Sequence, residues 1–194
     1  MIHPTAVIGK LPAAPAGLLS REPRETGRPV QIGEHTVVGP FAIIYEGVTI
    51  GKRCLIGDGA IIREGTVIGD ECIIGMHVTM GDNVIIGNST TITDLTHITG
   101  FSRIGSNVFI APGVMTANDN TIGEDSSDLR GPTIEDGVRI GIRAALLPGV
   151  RVGAGAVIGA CALVTKDIPP GVLALGVPAR IVRNLQEDLK CSPS

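Results

Sequence analysis

The sequence predicts an all-β solenoid, in which short strands wind as stacked triangular coils around an aliphatic core. Three observations carry that prediction. Stepping by six from Ile32 to Val164 meets an aliphatic residue at every position except Thr116 and Asp128. A phase held that long marks stacked repeats, which bury their apolar faces only against one another. Most hexapeptides also share one pattern: an aliphatic, Gly or a small residue, two polar residues, then another small one, as in IGEHTV, IGKRCL, IGDECI and IGSNVF. An inward aliphatic followed by a Gly, Asp or Asn turn suits a short strand entering a corner. Finally, the chain holds 27 Gly and 13 Pro but one Tyr, three Phe and no Trp among its 194 residues. A narrow coil interior accepts aliphatics and uses glycine to turn.

Taken in order, Ile2 and Ile8 share the phase of the main run, so residues 1–9 are expected to belong to the first coil. Residues 10–31, rich in Pro and Arg and without a period, read as a loop extruded from the surface. The offset from Ile8 to Ile32 equals four hexapeptides. From Ile32 onward, three hexapeptides close each triangular coil, giving about seven coils. Burying about 20 aliphatic side chains, at ~2 kcal/mol each, makes this core the main stabilising term. The pattern falters once, in residues 115–132, which hold Thr116, Asp128 and the further carboxylates Asp119, Glu124 and Asp125. A loop projecting from a rigid scaffold is a natural place for a site. After Val164, Pro169–Pro170 leaves the coil and Val177–Arg180 reads as a tight turn. VRNLQEDLK is compatible with a short helix covering the open end of the solenoid. The expected division is thus a β-helix domain over 1–181 and a helix and tail over 182–194.

The formal charge of −3 leaves no basic footprint for nucleic acid, and no apolar stretch is long enough for a membrane span. The opening MIHPTAVIG has no charged segment followed by an apolar run, so a cytoplasmic protein is expected. No CxxC pair is present, so the cysteines do not suggest zinc. Cys54 and Cys72 share the fifth place of their hexapeptides with Thr36, Ala42, Thr66 and Val78, a place for small inward side chains. Being three hexapeptides apart they should stack, and buried thiols are expected rather than a disulfide.

The hexapeptides, together with the closing GVLALGVPARIVRNL, resemble the left-handed β-helix acyltransferases. The block IEDGVRIGIRAALLPGVRVGAGAVIGACALVTKDIPPGVLALGVPAR looks like the acyl-CoA-binding half of the galactoside, maltose and xenobiotic acetyltransferases. It is equally similar to that half of the amino-sugar N-acetyltransferases acting on nucleotide-linked sugars. The resemblance implies a left-handed coil, a homotrimer, acetyl-CoA or another acyl-CoA as donor, and active sites between subunits. It also implies that Ile142, Ala160, Thr165, Lys166, Arg180 and Arg183 touch the cofactor, with Arg143 facing the same groove. The cations suit the CoA phosphates.

Acyl transfer needs a proton acceptor and an oriented nucleophile. The sugar and xenobiotic O-acetyltransferases carry a histidine in the loop corresponding to residues 115–131, where this chain has none. Aligning IAPGVMTAN instead places Asn118 on the active-site asparagine of the amino-sugar N-acetyltransferases. An amine needs less activation than a hydroxyl, so an orienting amide favours N-acylation. Of the four histidines, His3, His35 and His77 read as surface residues. His97, one coil and three places before Asn118, is the candidate for a base. In some relatives the catalytic histidine stands where this chain has Gly100. Asp94, Asp119 and Asn120 are candidate acceptor contacts. Stepping by one coil would also stack Glu64, Asp82, Gly100, Asn118 and Asp136.

The expected function is N-acetylation of an amino (nucleotide-)sugar by acetyl-CoA, with no metal. O-acetylation of a sugar or serine hydroxyl is the alternative enzyme reading. A non-catalytic scaffold, or a γ-carbonic-anhydrase-like protein using three histidines, comes from other classes. The cations of the TKDIPP and GVPAR segments argue against the scaffold, and the absence of an HxxxxH spacing against the anhydrase.

Overall fold

The structure, a computed structural model, describes residues 1–13, 26–125 and 128–185. Its strands stack into three sheets, the faces of one parallel solenoid. The first face holds, in order, Val7–Lys10, Ile43–Tyr45, Ile61–Ile62, Thr79–Met80, His97–Ile98, Met115–Thr116, Ala145–Leu146 and Leu163–Val164. The second runs from Gln31–Ile32 to Arg151–Val152, and the third from Val37–Val38 to Val172–Leu175 and Arg180–Asn184. Partners along the stack lie three hexapeptides apart, as in Ile44 with Ile62 and Met80 with Ile98. Each strand turns one residue inward and the next outward, which is why the hexapeptide phase becomes a continuous buried column.

The first face has eight strands, so there are about eight turns, not seven. The additional turn comes from the N-terminal residues: Ile2 bridges to Val38, and Val7 and Ile8 pair with Ile43 and Ile44. Ile8 and Ile44 are six hexapeptides apart in sequence yet adjacent in space. The segment after Lys10 therefore takes one coil's length of chain out of the stack before Gln31 rejoins it. Residues 14–25 of that loop lie outside the described residues.

A second excursion follows Thr116. Ile104 pairs with Ile134, five hexapeptides on instead of three, so the length of two hexapeptides leaves the coil here. Ile122 is consequently not a core residue but 94% exposed, and neither it nor Asp128 belongs to the ladder. Asp136 is displaced in the same way. It accepts the Ser106 amide at 2.7 Å on the corner between the second and third faces, and so does not stack with Asn118. Thr116 itself stays inward, and its hydroxyl accepts the Thr99 amide at 2.8 Å. One coil earlier the corresponding amide, on Gly81, donates to the Ile98 carbonyl. The hydroxyl thus replaces a backbone acceptor where the chain departs from the coil, which is the physical reason for a threonine in an aliphatic column.

The C-terminal end also differs from the expected helix. Residues 180–184 form a strand that pairs antiparallel with Val172–Leu175, Leu175 lying opposite Arg180 and Leu173 opposite Arg183. Leu185, the last described residue, is helical, and residues 186–190 of the expected helix and the tail 191–194 lie outside the described residues. The edge is covered by a hairpin strand, an alternative solution to the same problem.

Cys54 and Cys72 are free buried thiols, and at the fifth place they also act as hydrogen-bond donors. The Sγ atoms donate to the carbonyls of Gly69 and Gly87, each at 3.1 Å, as the Thr36 and Thr90 hydroxyls do to Gly51 and Gly105 at 2.8 Å. In every case the acceptor lies 15 residues on, at the same corner of the next coil. A small donor satisfies it; alanine or valine at this place does not.

The corner between the first and second faces carries two buried carboxylates. Glu46 accepts the Thr26 amide. Glu64, 5% exposed, forms a two-point pair with Arg63 at 2.8 and 2.7 Å, and the Arg63 guanidinium also lies 5.3 Å from the Tyr45 ring centre. Arg63→Ala would strand that carboxylate. The expected loss is about 1–2 kcal/mol, below that of a fully enclosed pair because the Arg63 side chain is 39% exposed. A lower urea midpoint at unchanged slope would show it.

Candidate active site

Ile98, inward and fully buried, sends His97 outward near the middle of the first face. Its neighbours in register are Thr79 on one side and Met115 on the other. His97 Nδ1 lies 2.7 Å from Thr79 Oγ1, and burial holds the half-buried imidazole below its ordinary pKa. Beyond Met115 the same outward column continues through Ala145 and Leu163, which are apolar.

Asn118 stands where the second excursion leaves the coil, on the corner between the first and second faces. Its Nδ2 donates to the Gly100 carbonyl at 3.3 Å, and its own carbonyl accepts the Arg130 amide at 2.8 Å. The latter bond closes the neck of the loop. His97 and Asn118 are thus placed one coil apart on neighbouring parts of one side, joined through Thr116, whose hydroxyl donates to the His97 carbonyl at 3.3 Å. Asp119 is committed to the loop itself. Its carboxylate accepts the Thr121 hydroxyl at 2.6 Å and the Thr121 and Gly123 amides at 2.7 Å, and these bonds hold it below the usual carboxylate range. Asn120 is exposed beside it. Asp94 lies on the corner between the third and first faces and accepts the Met76 amide at 2.8 Å, a cap for the preceding coil.

The residues expected to hold the acyl donor divide between two corners. Ile142 and Ala160 stack between the third and first faces, where the Cys161 amide donates to the Ile142 carbonyl at 2.8 Å. Close approach is enforced there, since a Cβ on Gly141 would come within 2.5 Å of the Ala160 nitrogen. Arg143 occupies the left-handed region at φ 55° on the same corner, and its amide donates to the Pro112 carbonyl. Leu175 packs directly over Gly159, which brings Arg180, its strand partner, to this end of the corner. Arg183 lies further along the same strand pair, opposite Leu173. Thr165 and Lys166 sit instead on the other corner, the one that carries Asn118. The two groups therefore flank the last coils of the first face. A separate groove of about 430 Å³ on the second face, lined by Arg103, Thr133, Glu135, Asp136 and Ala154, contains none of these residues.

Thr79 is absent from the residues expected on sequence grounds, although it precedes His97 by one coil. That spacing would have put it on the adjacent rung; the contact between the two side chains is visible only in the structure.

The fold and these positions define a hexapeptide-repeat solenoid with a loop interrupting its first side, and comparison with known proteins agrees. The model described as "Bacterial transferase hexapeptide (six repeats)" matches residues 29–64, 47–82 and 131–166. Galactoside O-acetyltransferase of Escherichia coli (strain K12) is 41% identical over 90 residues, covering 43% of this chain and 44% of that protein. The 2,3,4,5-tetrahydropyridine-2,6-dicarboxylate N-acetyltransferase of Staphylococcus aureus (strain JH9) is 39% identical over 84 residues, covering 43% of this chain and 33% of that protein. The match thus spans less than half the length of either relative. The structure of UDP-N-acetylglucosamine acyltransferase from Campylobacter jejuni superposes with a TM-score of 0.70 at 24% identity, covering 98% of this chain and 77% of that one. Together these findings show that the chain carries hexapeptide repeats similar to those of the named transferases and shares the solenoid fold of the solved structure.

Proposed function

We propose that the protein transfers an acetyl group from acetyl-CoA to the amino group of a small acceptor, an amino sugar or nucleotide-linked amino sugar. The placement of His97 and Asn118 on one side of the solenoid, beside the coils that bear the donor-binding positions, carries this reading. Asn118, with Nδ2 engaged by Gly100, keeps its Oδ1 as an acceptor for an amine N–H, and His97, neutral at neutral pH, takes the proton. The donor lies along the Ile142–Ala160 corner with its phosphates near Arg180, Arg183 and Arg143, while Lys166 stands apart on the other corner. The working unit is a cytoplasmic homotrimer with sites between subunits. The outward column of the third face supports such packing: Val37, Leu55, Ile73 and Phe109 are apolar and 40–46% exposed, with Thr91 between the last two. The relatives include both an O- and an N-acetyltransferase by name, and the same imidazole would serve a hydroxyl acceptor; the asparagine in the loop favours the amine.

Calorimetric titration with acetyl-CoA is expected to show saturable binding, weakened about tenfold in Arg180→Ala, the cost of one charge-assisted hydrogen bond. No binding at millimolar acetyl-CoA would remove the transferase reading. Thiol release on screening amino-sugar nucleotides, free amino sugars, neutral sugars and serine would then separate N- from O-transfer.

A further inference from the structure

We propose that Thr79 is a positioning residue for His97: its hydroxyl holds Nδ1 as acceptor of the Nδ1–H, which leaves the Nε2 lone pair to face the acceptor. This rests on the reading of His97 as the base. The contact between Thr79 Oγ1 and Nδ1 is 2.7 Å, a full hydrogen bond. Both partners are set by the core. Met80 and Ile98, their chain neighbours, are buried and in register, so the two outward residues are held on adjacent rungs. The rungs are fixed in turn by the Thr79 amide on the Thr96 carbonyl at 3.0 Å and the His97 amide on the Val114 carbonyl at 2.9 Å. A β-branched threonine adds a restricted χ1, so the hydroxyl is presented with little rotameric freedom. Among the described residues no group hydrogen-bonds Nε2, and the neighbour on the other rung, Met115, is apolar. One ring nitrogen is therefore committed and the other is available.

The consequence for the reaction is direct. The amine nitrogen attacks the thioester carbonyl carbon and forms the C–N bond, while its proton moves to Nε2. The C–S bond then breaks, and the imidazolium returns that proton to the departing CoA thiolate, giving an amide and a free thiol. A ring that carried its hydrogen on Nε2 would accept from the Thr79 hydroxyl at Nδ1 and could not take the proton, so the direction of the Thr79 hydrogen bond marks whether His97 is competent.

The test uses ¹⁵N NMR of the histidine side chains, which reads the tautomer without turnover, together with kinetics on acetyl-CoA and glucosamine. Wild type is expected to show His97 as the Nδ1–H tautomer. Thr79→Val should shift it toward Nε2–H and lower kcat about tenfold, with the KM for acetyl-CoA unchanged. Thr79→Ser, which restores the hydroxyl, should recover both signals. A wild-type Nε2–H tautomer, or a Thr79→Val spectrum identical to wild type, overturns the proposal. A tautomer shift with kcat unchanged overturns it by the other route: the positioning would be real, but His97 would not be the base.

Discussion

Shortening Ile98 to alanine should lower the unfolding free energy by about 2–5 kcal/mol, whereas Ile122→Ala should leave it within about 0.5 kcal/mol. The two isoleucines occupy the same phase of the hexapeptide. Ile98, however, is 0% exposed between Met80 below and the Met115–Thr116 rung above, while Ile122 is 94% exposed on the excursion. Truncating a side chain in a column packed on every side leaves a cavity that the rigid coils cannot collapse into. At Ile122 the same atoms already face water. Chemical denaturation of both variants against wild type makes the comparison. Equal losses would mean that residue 122 is part of the core and that the chain does not leave the coil after Thr116.

That contrast also explains how far the fold was legible. A hexapeptide period records inward side chains, and every described column of the three faces follows from it. It cannot tell residues in the coil from residues looped out of it when the loop is a whole number of hexapeptides long. Both excursions are of that kind, three hexapeptides after Lys10 and two after Thr116. The phase therefore survives both: Ile122 and Asp128 fall in the expected loop, but spacing stacks Asp136 with Asn118, whereas it lies on another corner. The physical signs were present but subtle: a threonine replacing a backbone acceptor, and Asp119–Gly123 forming a self-contained turn. The start of the terminal segment, 182–184, is strand and not helix for a different reason. Ile181 and Val182, β-branched and opposite the strand Val172–Leu175, prefer a pleated surface, whereas the helical reading relied on the more polar residues beyond them. In the candidate site, the positions of His97 and Asn118 on one side could be read from spacing. The Thr79 hydrogen bond could not, since it depends on how two outward side chains meet across a rung.

Asn118→Ala is expected to reduce kcat for amine acetylation about 100-fold, the scale set by losing orientation at the reacting centre, while leaving acetyl-CoA binding unaltered. The side chain is anchored by Nδ2 to Gly100 at the closed neck of the loop, so its Oδ1 is held in place before the acceptor arrives. A residue of that kind contributes to orientation, not to donor affinity, and the donor-binding positions lie on later coils. Persistence of turnover in the variant would rule out the orienting role. The pH profile provides the complementary constraint on His97. Its free value is near 6.5, and burial lowers it in the folded protein. The imidazole is therefore a competent base throughout the neutral range, and the acid limb of kcat/KM should fall below pH ~6.5. Linkage has the same sign: this group's contribution to stability is complete above the unfolded value and is lost as pH falls through the folded one. An acid limb above pH ~7 would point to a different base, because burial cannot lower a pKa and at the same time leave the group protonated at neutrality.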